Sequence, residues 1–170
     1  LNKPIIAVLI GGKNKHFKIN IKKIIKLAKL LNKLQEDNNV TLLISFSRRT
    51  KIDTKKSFVS ALNLKNVIIW DEKGENPYIG FLAFADYFIV TEDSISMVSE
   101  SASTGKPVYI FQLNGKSKKF EKFYRQLYSE NITRVFTGKI DEPWQYKKLE
   151  DTSHVALYLK QNYSDFLSEN

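Results

Sequence analysis

The strongest constraint on the fold is a continuous apolar segment near the start of the chain that two glycines terminate. Ile5 to Ile10 (IIAVLI) contains no polar residue and runs into Gly11-Gly12. A strand without polar alternation is typical of a parallel sheet that helices cover on both faces. From Ile21 to Leu34, apolar residues recur at helical spacing and lysines occupy the opposite face, which predicts an amphipathic helix. The chain is therefore expected to begin with a buried strand, a glycine turn and a helix.

The same alternation of strand and helix continues along the chain. Further strands are predicted at Val40 to Phe46, Val67 to Trp70, Tyr87 to Thr91, Pro107 to Phe111 and Arg134 to Phe136. Further helices are predicted at Thr54 to Leu62, Tyr78 to Ala85, Ser94 to Thr104, Lys118 to Ser129 and from Asp151 onward. Such an alternation forms a parallel sheet with right-handed crossovers. We predict an α/β, Rossmann-like, doubly wound fold, with a six-stranded parallel sheet in three α/β/α layers and one domain over residues 1–170.

The composition excludes several kinds of site. The 170 residues include no cysteine and only two histidines, so disulfides and thiolate zinc sites are excluded and a histidine-built metal site is not expected. There is no run of about 18 apolar residues and no signal peptide, and we expect a cytoplasmic protein. The start at Leu1, directly before a strand, is interpreted as a cut, with a further segment preceding this domain.

The net charge of +9 raises polyanions as partners. Clustering of basic residues, rather than net charge, marks a nucleic-acid surface, and the lysines here fall on predicted solvated helix faces. We therefore expect no nucleic-acid partner and no transmembrane segment. Peripheral contact with a membrane stays open.

Four loops follow the predicted strands at their carboxyl ends, where doubly wound sheets hold ligands. Gly11-Gly12-Lys13 would let a phosphate approach the backbone. It is neither a full dinucleotide fingerprint nor a P-loop, and taken alone it is better explained as a plain strand-to-helix turn. Arg48 and Arg49 have guanidinium groups that suit a diphosphate, with an ion pair to a neighbouring acidic loop as the equal alternative. The other two loops contain Trp70-Asp71 and Thr91 to Ser94.

The acidic residues around the predicted fourth helix have competing interpretations. Asp93 is better explained as the cap of this helix, with Ser94 as the other candidate. Glu92 and Asp93 would repel a phosphate but could accept hydrogen bonds from sugar hydroxyls. Glu100 lies two turns inside the helix among small residues, which would let a ligand come close. A solvent-exposed glutamate is the simpler interpretation.

The segment from Thr91 to Phe111, TEDSISMVSESASTGKPVYIF, resembles the donor-binding segment of GT-B glycosyltransferases. It is similar to that of the GlcNAc transferase of peptidoglycan synthesis in its Ser-Glu pair, its small residues and a Gly-x-Pro before a strand. The wider set LIGG, SFSRRT, NPYIGFLAFADYFIVTEDSISMVSES and GKPVYIF resembles the mitochondrial-fission "elongated mitochondria" family. Bacterial members of that family often carry the label predicted nucleoside-diphosphate-sugar epimerase. The resemblance extends from Val8 to about Glu150.

The resemblance implies the C-terminal lobe of a GT-B fold, which pairs with an N-terminal lobe that this chain lacks. It also implies a nucleotide-diphosphate sugar as donor substrate, with no further cofactor. Glu100 matches the acidic residue that holds the ribose hydroxyls. Ser94, Ile95 and Ser96 match the helix start whose amides approach the diphosphate. Gly11 and Gly12 match the glycine loop that faces the other lobe, and Ile69 to Asp71, which includes Trp70, matches the place where the base is bound.

Two departures from the glycosyltransferase pattern limit what the resemblance implies. After Phe111-Gln112, glycosyltransferases of this type present polar amides to the donor sugar, whereas this chain has Lys118, Lys119 and Phe120 there. The acidic pair Glu92-Asp93 is unusual beside a diphosphate. The resemblance therefore does not identify the sugar, and it does not require that the chain be active.

Three functions follow as alternatives. The first is a glycosyltransferase donor lobe in which Lys13, Arg48, Arg49 and the helix-start amides stabilise the leaving diphosphate, with no base assigned. The second is the epimerase of the family label, which would need a dinucleotide fingerprint and a Tyr-x-x-x-Lys pair. None of the eight tyrosines has a lysine four residues later, so this chemistry is not expected. The third is a non-catalytic protein that recruits a partner, as plant members of the family do for the mitochondrial division machinery.

Overall fold

The computed structural model describes residues 3–63, 65–70, 73–115 and 117–147. Its strands are β1 (Ile5–Ile10), β2 (Phe17–Lys18), β3 (Thr41–Phe46), β4 (Val67–Ile69), β5 (Tyr87–Thr91), β6 (Val108–Phe111), β7 (Asn114–Gly115) and β8 (Thr133–Val135). Its helices are α1 (Ile21–Asp37), α2 (Ile52–Ala61), α3 (Tyr78–Phe84), α4 (Ile95–Ser103) and α5 (Lys118–Ser129).

Six of these strands form one parallel sheet in the order β4-β3-β1-β5-β6-β8. The chain runs outward from β1 through β3 to β4, returns to β5 on the other side of β1, and continues outward through β6 to β8. The direction of winding therefore reverses between β1 and β5, and ligands of doubly wound sheets bind at such a switch point. The predicted six-stranded parallel sheet is confirmed, with β1 and β5 at its centre.

The helices lie in two layers because crossovers between parallel strands are right-handed. α1 and α2 belong to the crossovers that lead from β1 to β4, and they pack against each other on one face. α3, α4 and α5 belong to crossovers in the opposite direction and cover the other face. This is the three-layer arrangement that the alternation of elements predicts.

The core lies in the central strands and in the inner face of α1. Every residue of β1, β3, β5 and β6 is buried, as continuous apolar strands require when helices cover both faces of a sheet. On α1, the buried residues are Ile24, Leu27, Ala28, Leu31 and Leu34. Full burial of an aliphatic side chain of this size contributes about 1.5–3 kcal/mol, which makes this stripe the main anchor of the helix.

Several element boundaries differ from their predicted positions by one to three residues, and the largest difference is the end of α1, at Asp37 instead of Leu34. α2 begins at Ile52 instead of Thr54, and Asp53 in its first turn stabilises the positive end of the helix. Ile52 is 68% exposed and does not belong to the buried face of α2. The last strand begins at Thr133 instead of Arg134. The helix predicted from Asp151 lies outside the described residues. None of the helices in the described ranges has the length and apolar character needed to cross a bilayer.

A second, two-stranded sheet was not predicted. β2 and β7 pair antiparallel, with Phe17 opposite Gly115 and Lys18 opposite Asn114. β2 belongs to the loop after β1, and β7 follows β6. Because β1 and β6 flank β5 in the main sheet, this pair lies across the carboxyl end of β5 and covers it.

Candidate functional site

The loops after β1 and β5 are tied together at the switch point. The backbone N–H of Gly11 donates a hydrogen bond to the Thr91 hydroxyl at 2.8 Å. The Asn14 side-chain amide donates to the backbone carbonyl of Asp93 at 2.9 Å. Two of the four predicted loops are therefore in direct contact, and the cover formed by β2 and β7 lies above them.

Close packing explains both glycines of the first loop. A Cβ atom on Gly11 would overlap the Asp93 carboxylate, and a Cβ atom on Gly12 would overlap the backbone of Arg49. Both glycines are buried. Glycine is required here because neighbouring loops come too close for any side chain. The simpler of the two sequence interpretations, a structural turn, accounts for both positions.

Asp93 is a buried carboxylate at the centre of this contact. The residue is 2% exposed, and neither carboxylate oxygen has a hydrogen-bond partner of good geometry within the described residues. Burial raises the pKa of this carboxyl to about 6, while the nearby Thr91 hydroxyl, backbone N–H groups that include that of Gly12, and the Arg49 charge lower it in part. Burial is the larger effect because it removes the charged form from water.

The start of α4 is only partly accessible. Ser94 occupies the N-cap position, but its side chain makes no capping hydrogen bond. The interpretation of Asp93 as the cap is wrong, because Asp93 precedes the N-cap and its carboxylate packs against Gly11. Ser94 and Ile95 are each 6% exposed, whereas Ser96 is exposed. A ligand can therefore reach α4 from the side of Ser96.

Glu100 is exposed on α4, and Tyr78 at the start of α3 donates a hydrogen bond to one of its carboxylate oxygens. Burial of Tyr78, together with this hydrogen bond and the charge of Glu100, raises the pKa of the Tyr78 hydroxyl well above its usual value, so that it stays a donor. The contact links α4 to the segment that follows β4. The sequence gives no signal for Tyr78 as a partner of Glu100.

The remaining predicted residues lie along the same edge of the sheet. Arg48 and Arg49 are exposed, and neither forms an ion pair within the described ranges, although the Arg49 charge acts on Asp93. Trp70 follows the edge strand β4, and its indole N–H donates to the Lys73 carbonyl at 3.2 Å. β4 is three strands from β5, which corresponds to about 14 Å at the usual strand spacing. Asp71 lies outside the described residues.

Glu92, the other acidic residue of the loop, has a structural role. It is half-buried, and its carboxylate accepts a hydrogen bond from the backbone N–H of Leu113 at 2.8 Å. Burial raises the pKa of Glu92, against the lowering effect of that hydrogen bond. The Tyr124 hydroxyl donates to the Glu92 carbonyl at 2.6 Å.

No group of three His, Asp or Glu side chains in the part of the chain that the structure describes could hold a metal ion.

A cavity of about 310 Å³ opens on the other side of β1, between the loops that follow β1 and β3. Of the predicted site residues, Gly12 and Lys13 line it. Thr50 belongs to the SFSRRT segment that the sequence analysis singled out, but the other lining residues were not singled out: Lys18, Ile19, Asn20, Lys51 and Thr54. Only the tertiary contact between the two loops brings them together.

The model of the family described as "Mitochondrial fission ELM1" matches residues 1–163. The chain is 41% identical to an uncharacterized protein of Rickettsia prowazekii (strain Madrid E), a match that covers 93% of this chain and 46% of that protein. It is 34% identical to mitochondrial fission protein ELM1 of Arabidopsis thaliana, with 94% of this chain and 38% of that protein covered. The chain therefore spans less than half the length of either relative.

Two solved structures share part of the fold at low sequence identity. The glycotransferase of kitacinnamycin gives a TM-score of 0.47 at 16% identity, over 79% of this chain and 30% of that protein. An FMN-dependent UbiX-like decarboxylase from Escherichia coli O157:H7 gives the same TM-score of 0.47 at 12% identity, over 76% of this chain and 78% of that protein. Because enzymes of different chemistry reach the same score, these likenesses concern only the arrangement of strands and helices.

Proposed function

The chain belongs to the mitochondrial fission ELM1 family, and from this premise we propose that it binds a nucleotide-diphosphate sugar as the donor lobe of a GT-B-like glycosyltransferase. The ligand would lie along the carboxyl edge of the sheet, from the segment after β4 to the exposed side of α4. The strand order supports this location, because the switch point of a doubly wound sheet is its usual ligand crevice.

The observation that carries the proposal is the position of Glu100. Its carboxylate is exposed, and the hydrogen bond from Tyr78 holds it in one orientation. The second carboxylate oxygen has no hydrogen bond among the described residues. A carboxylate that a neighbour already orients loses little freedom on binding, so it suits the two hydroxyls of a ribose.

The diphosphate would lie beside Ser96 and the first turn of α4. Helix-start amides have no partner within their helix, and they carry the positive end of the helix dipole. Arg49 and Lys13, both exposed on neighbouring loops, add positive charge at this edge. The buried Asp93 opposes an anion here, which makes these cations necessary to the proposal.

The proposed chemistry is transfer of the sugar from the diphosphate to an acceptor nucleophile. The bond between the anomeric carbon and the diphosphate oxygen breaks as the acceptor oxygen bonds to that carbon, and a base takes the acceptor's proton. This chain would contribute orientation of the donor and neutralisation of the departing nucleoside diphosphate. No base is assigned within the described residues, and epimerase chemistry is not proposed.

Thermal unfolding of the intact protein with UDP- and GDP-sugars tests the proposal. A ligand at a hundredfold excess over its Kd stabilises by about 2.7 kcal/mol, which corresponds to a rise of about 5–10 °C in Tm for a chain of this size. We expect Glu100→Gln to abolish most of this rise. Glu36→Gln, at an exposed position on α1 and at the other edge of the sheet, is the matched control and should keep it.

Recruitment of a partner is the second candidate function, and exposed apolar side chains on α3 favour it. Ile79 is 72% exposed and Phe84 is 71% exposed. Large apolar side chains left in water are typical of surfaces that other proteins cover. The same thermal titration decides between the two functions. If no nucleotide sugar raises the Tm, the donor-lobe proposal is wrong and recruitment becomes the favoured function.

A further inference from the structure

The cavity between the loops after β1 and β3 has the chemistry of an anion site. We propose that it binds a small phosphate compound, such as free diphosphate or a sugar phosphate, at a place that borders the proposed nucleotide-sugar site at Lys13 but extends to the other side of β1. Its volume of about 310 Å³ is at the lower end of the range for small-molecule sites. Its lining residues come from the two loops and from the starts of α1 and α2.

Three lysines surround the cavity without a compensating acid. Lys13, Lys18 and Lys51 line it, and none of them forms an ion pair within the described residues. None of the described lining residues is acidic, although Asp53 lies nearby in the first turn of α2. Three like charges around one space repel each other, and an anion with two or three charges would relieve that repulsion.

A largely buried threonine adds a hydroxyl that has no hydrogen-bond partner among the described residues. Thr54 is 6% exposed and lines the cavity, and its hydroxyl has no hydrogen bond within the described residues. Thr50, by contrast, donates to the Gly11 carbonyl at 2.6 Å and is satisfied. The Thr54 hydroxyl is therefore available to donate to a ligand oxygen in the cavity.

Two helix starts converge on the same cavity. Asn20, the N-cap of α1, and Lys51, the N-cap of α2, both line it. The Lys51 side chain makes no capping hydrogen bond, so the first amides of α2 keep their capacity to donate. These amides add directional donors to the charge of the lysines, a combination that suits phosphate oxygens.

Lys13 borders both proposed sites, and the rest of this cavity lies in a different part of the sheet from the rest of the nucleotide-sugar site. The cavity lies on the β3 side of β1, whereas α4 follows β5 on the other side. Buried Asp93 lies against Gly11, between the two places. No residue of α4 lines the cavity within the described part of the chain.

Isothermal titration of the intact protein with orthophosphate, diphosphate and a hexose phosphate tests the proposal. We expect at least one of these three ligands to bind. The ligand with the lowest Kd shows whether the site is suited to free phosphate, to diphosphate or to a sugar phosphate. Lys51→Gln should raise its Kd about tenfold, the loss expected for one charge-assisted hydrogen bond. Thr54→Val, which keeps the shape of the side chain, should also weaken binding. Added salt should weaken binding as well, because the attraction is electrostatic.

Two controls distinguish binding in this cavity from binding to surface lysines and from binding at the proposed nucleotide-sugar site. Lys29→Gln removes an exposed lysine of α1 outside the cavity and should leave the Kd unchanged. Glu100→Gln should likewise leave phosphate binding intact, even if no nucleotide sugar binds the protein. The proposal is overturned if none of the three ligands binds. It is equally overturned if Lys51→Gln and Thr54→Val behave like Lys29→Gln.

Discussion

Asp93 combines burial, charge and close packing at one position. Its carboxylate lies against the Gly11 backbone beneath the cover formed by β2 and β7, and the pKa of the group rises from 3.8 to about 6. At pH 5 the folded protein therefore keeps the proton on this carboxyl, whereas an unfolded chain has largely released it. Protonation of Asp93 at low pH therefore favours the folded state.

The pH dependence of stability follows from the direction of that shift. A rise in pKa from 3.8 to about 6 corresponds to a loss of about 3 kcal/mol in the free energy of unfolding as the pH increases through this window. The full loss is present above about pH 7. We expect Asp93→Asn to remove this dependence. Urea unfolding between pH 4 and pH 7 measures this effect. The free energy of unfolding of the variant should increase relative to that of the parent protein as the pH rises.

A variant of an exposed carboxylate is the control for that experiment. Glu36 is exposed on α1, so Glu36→Gln should keep the parent pH profile. Parallel profiles for Asp93→Asn and the parent protein would show that Asp93 does not titrate in this window.

At the scale of elements, the pairing of β2 with β7 joins the loop after β1 to the segment after β6. Phe17 is 2% exposed in β2, and its ring lies 5.0 Å from that of Phe120 on α5. The His16 ring lies 5.6 Å from the same Phe120 ring, so two neighbouring rings join this cover to α5, and Phe17 is the buried one. Each strand contains only two residues, so hydrogen bonds alone would not hold the pair.

Phe17→Ala should open this cover. We expect a loss of about 3–5 kcal/mol in the free energy of unfolding, the usual result of removing a buried phenyl ring. Hydrogen exchange at Lys18 and Asn114 should accelerate in the same variant. Ile21→Ala is the matched control, because Ile21 is 49% exposed and its loss should change stability by about 0.5 kcal/mol or less. Unchanged exchange at Lys18 in Phe17→Ala would contradict this account.

The helices and strands themselves were largely predictable, and the reason is burial. β1, β3, β5 and β6 are continuous apolar segments because both faces are covered, and α1 shows a regular apolar stripe. α2 begins two residues before its predicted start, at Ile52, which is exposed and lies outside the buried face of the helix. β2 and β7 are too short for any pattern to show in the sequence.

At the scale of the whole molecule, the segment after β8 closes the amino edge of the sheet, opposite both proposed sites. The Tyr146 hydroxyl contacts the carbonyls of Ala102 at 2.9 Å and Lys106 at 2.7 Å, at the end of α4 and before β6. The Trp144 indole N–H donates to the Asn131 carbonyl at 2.8 Å. These bonds tie the last described residues to the end of α4 and to the segments before β6 and β8.

Tyr146→Phe should lower the free energy of unfolding without changing ligand binding. Loss of the hydroxyl removes one part-buried hydrogen bond, an effect of about 0.5–1.5 kcal/mol, while the Ala102 carbonyl keeps the Gly105 N–H as a donor. Denaturant unfolding measures the loss, and phosphate titration should give the parent Kd. Lys147→Gln, at the exposed neighbouring position, is the control and should change stability by about 0.5 kcal/mol or less. A weaker phosphate affinity in Tyr146→Phe would show that the two edges are coupled.

The candidate site was predictable only in outline. The carboxyl ends of the strands could be located from the sequence, because they follow from the order of strands and helices. The roles of particular residues could not. Gly11 and Gly12 are explained by contacts with Asp93 and Arg49, residues 82 and 37 positions away along the chain. The partner of Glu100 is Tyr78, which belongs to another helix.

The sequence by itself determined the layered α/β fold, since the apolar period of each segment is a local property that burial imposes. It also determined the family, because the segments that carry the resemblance extend over nearly the whole chain. Only the tertiary structure decided which loops meet at the carboxyl edge. The pairing of β2 with β7, the burial of Asp93 and the lysine-lined cavity depend on contacts between distant residues. Such contacts leave no periodic pattern in the sequence, because each is made by single residues and the residues next to them in the chain do not take part in it.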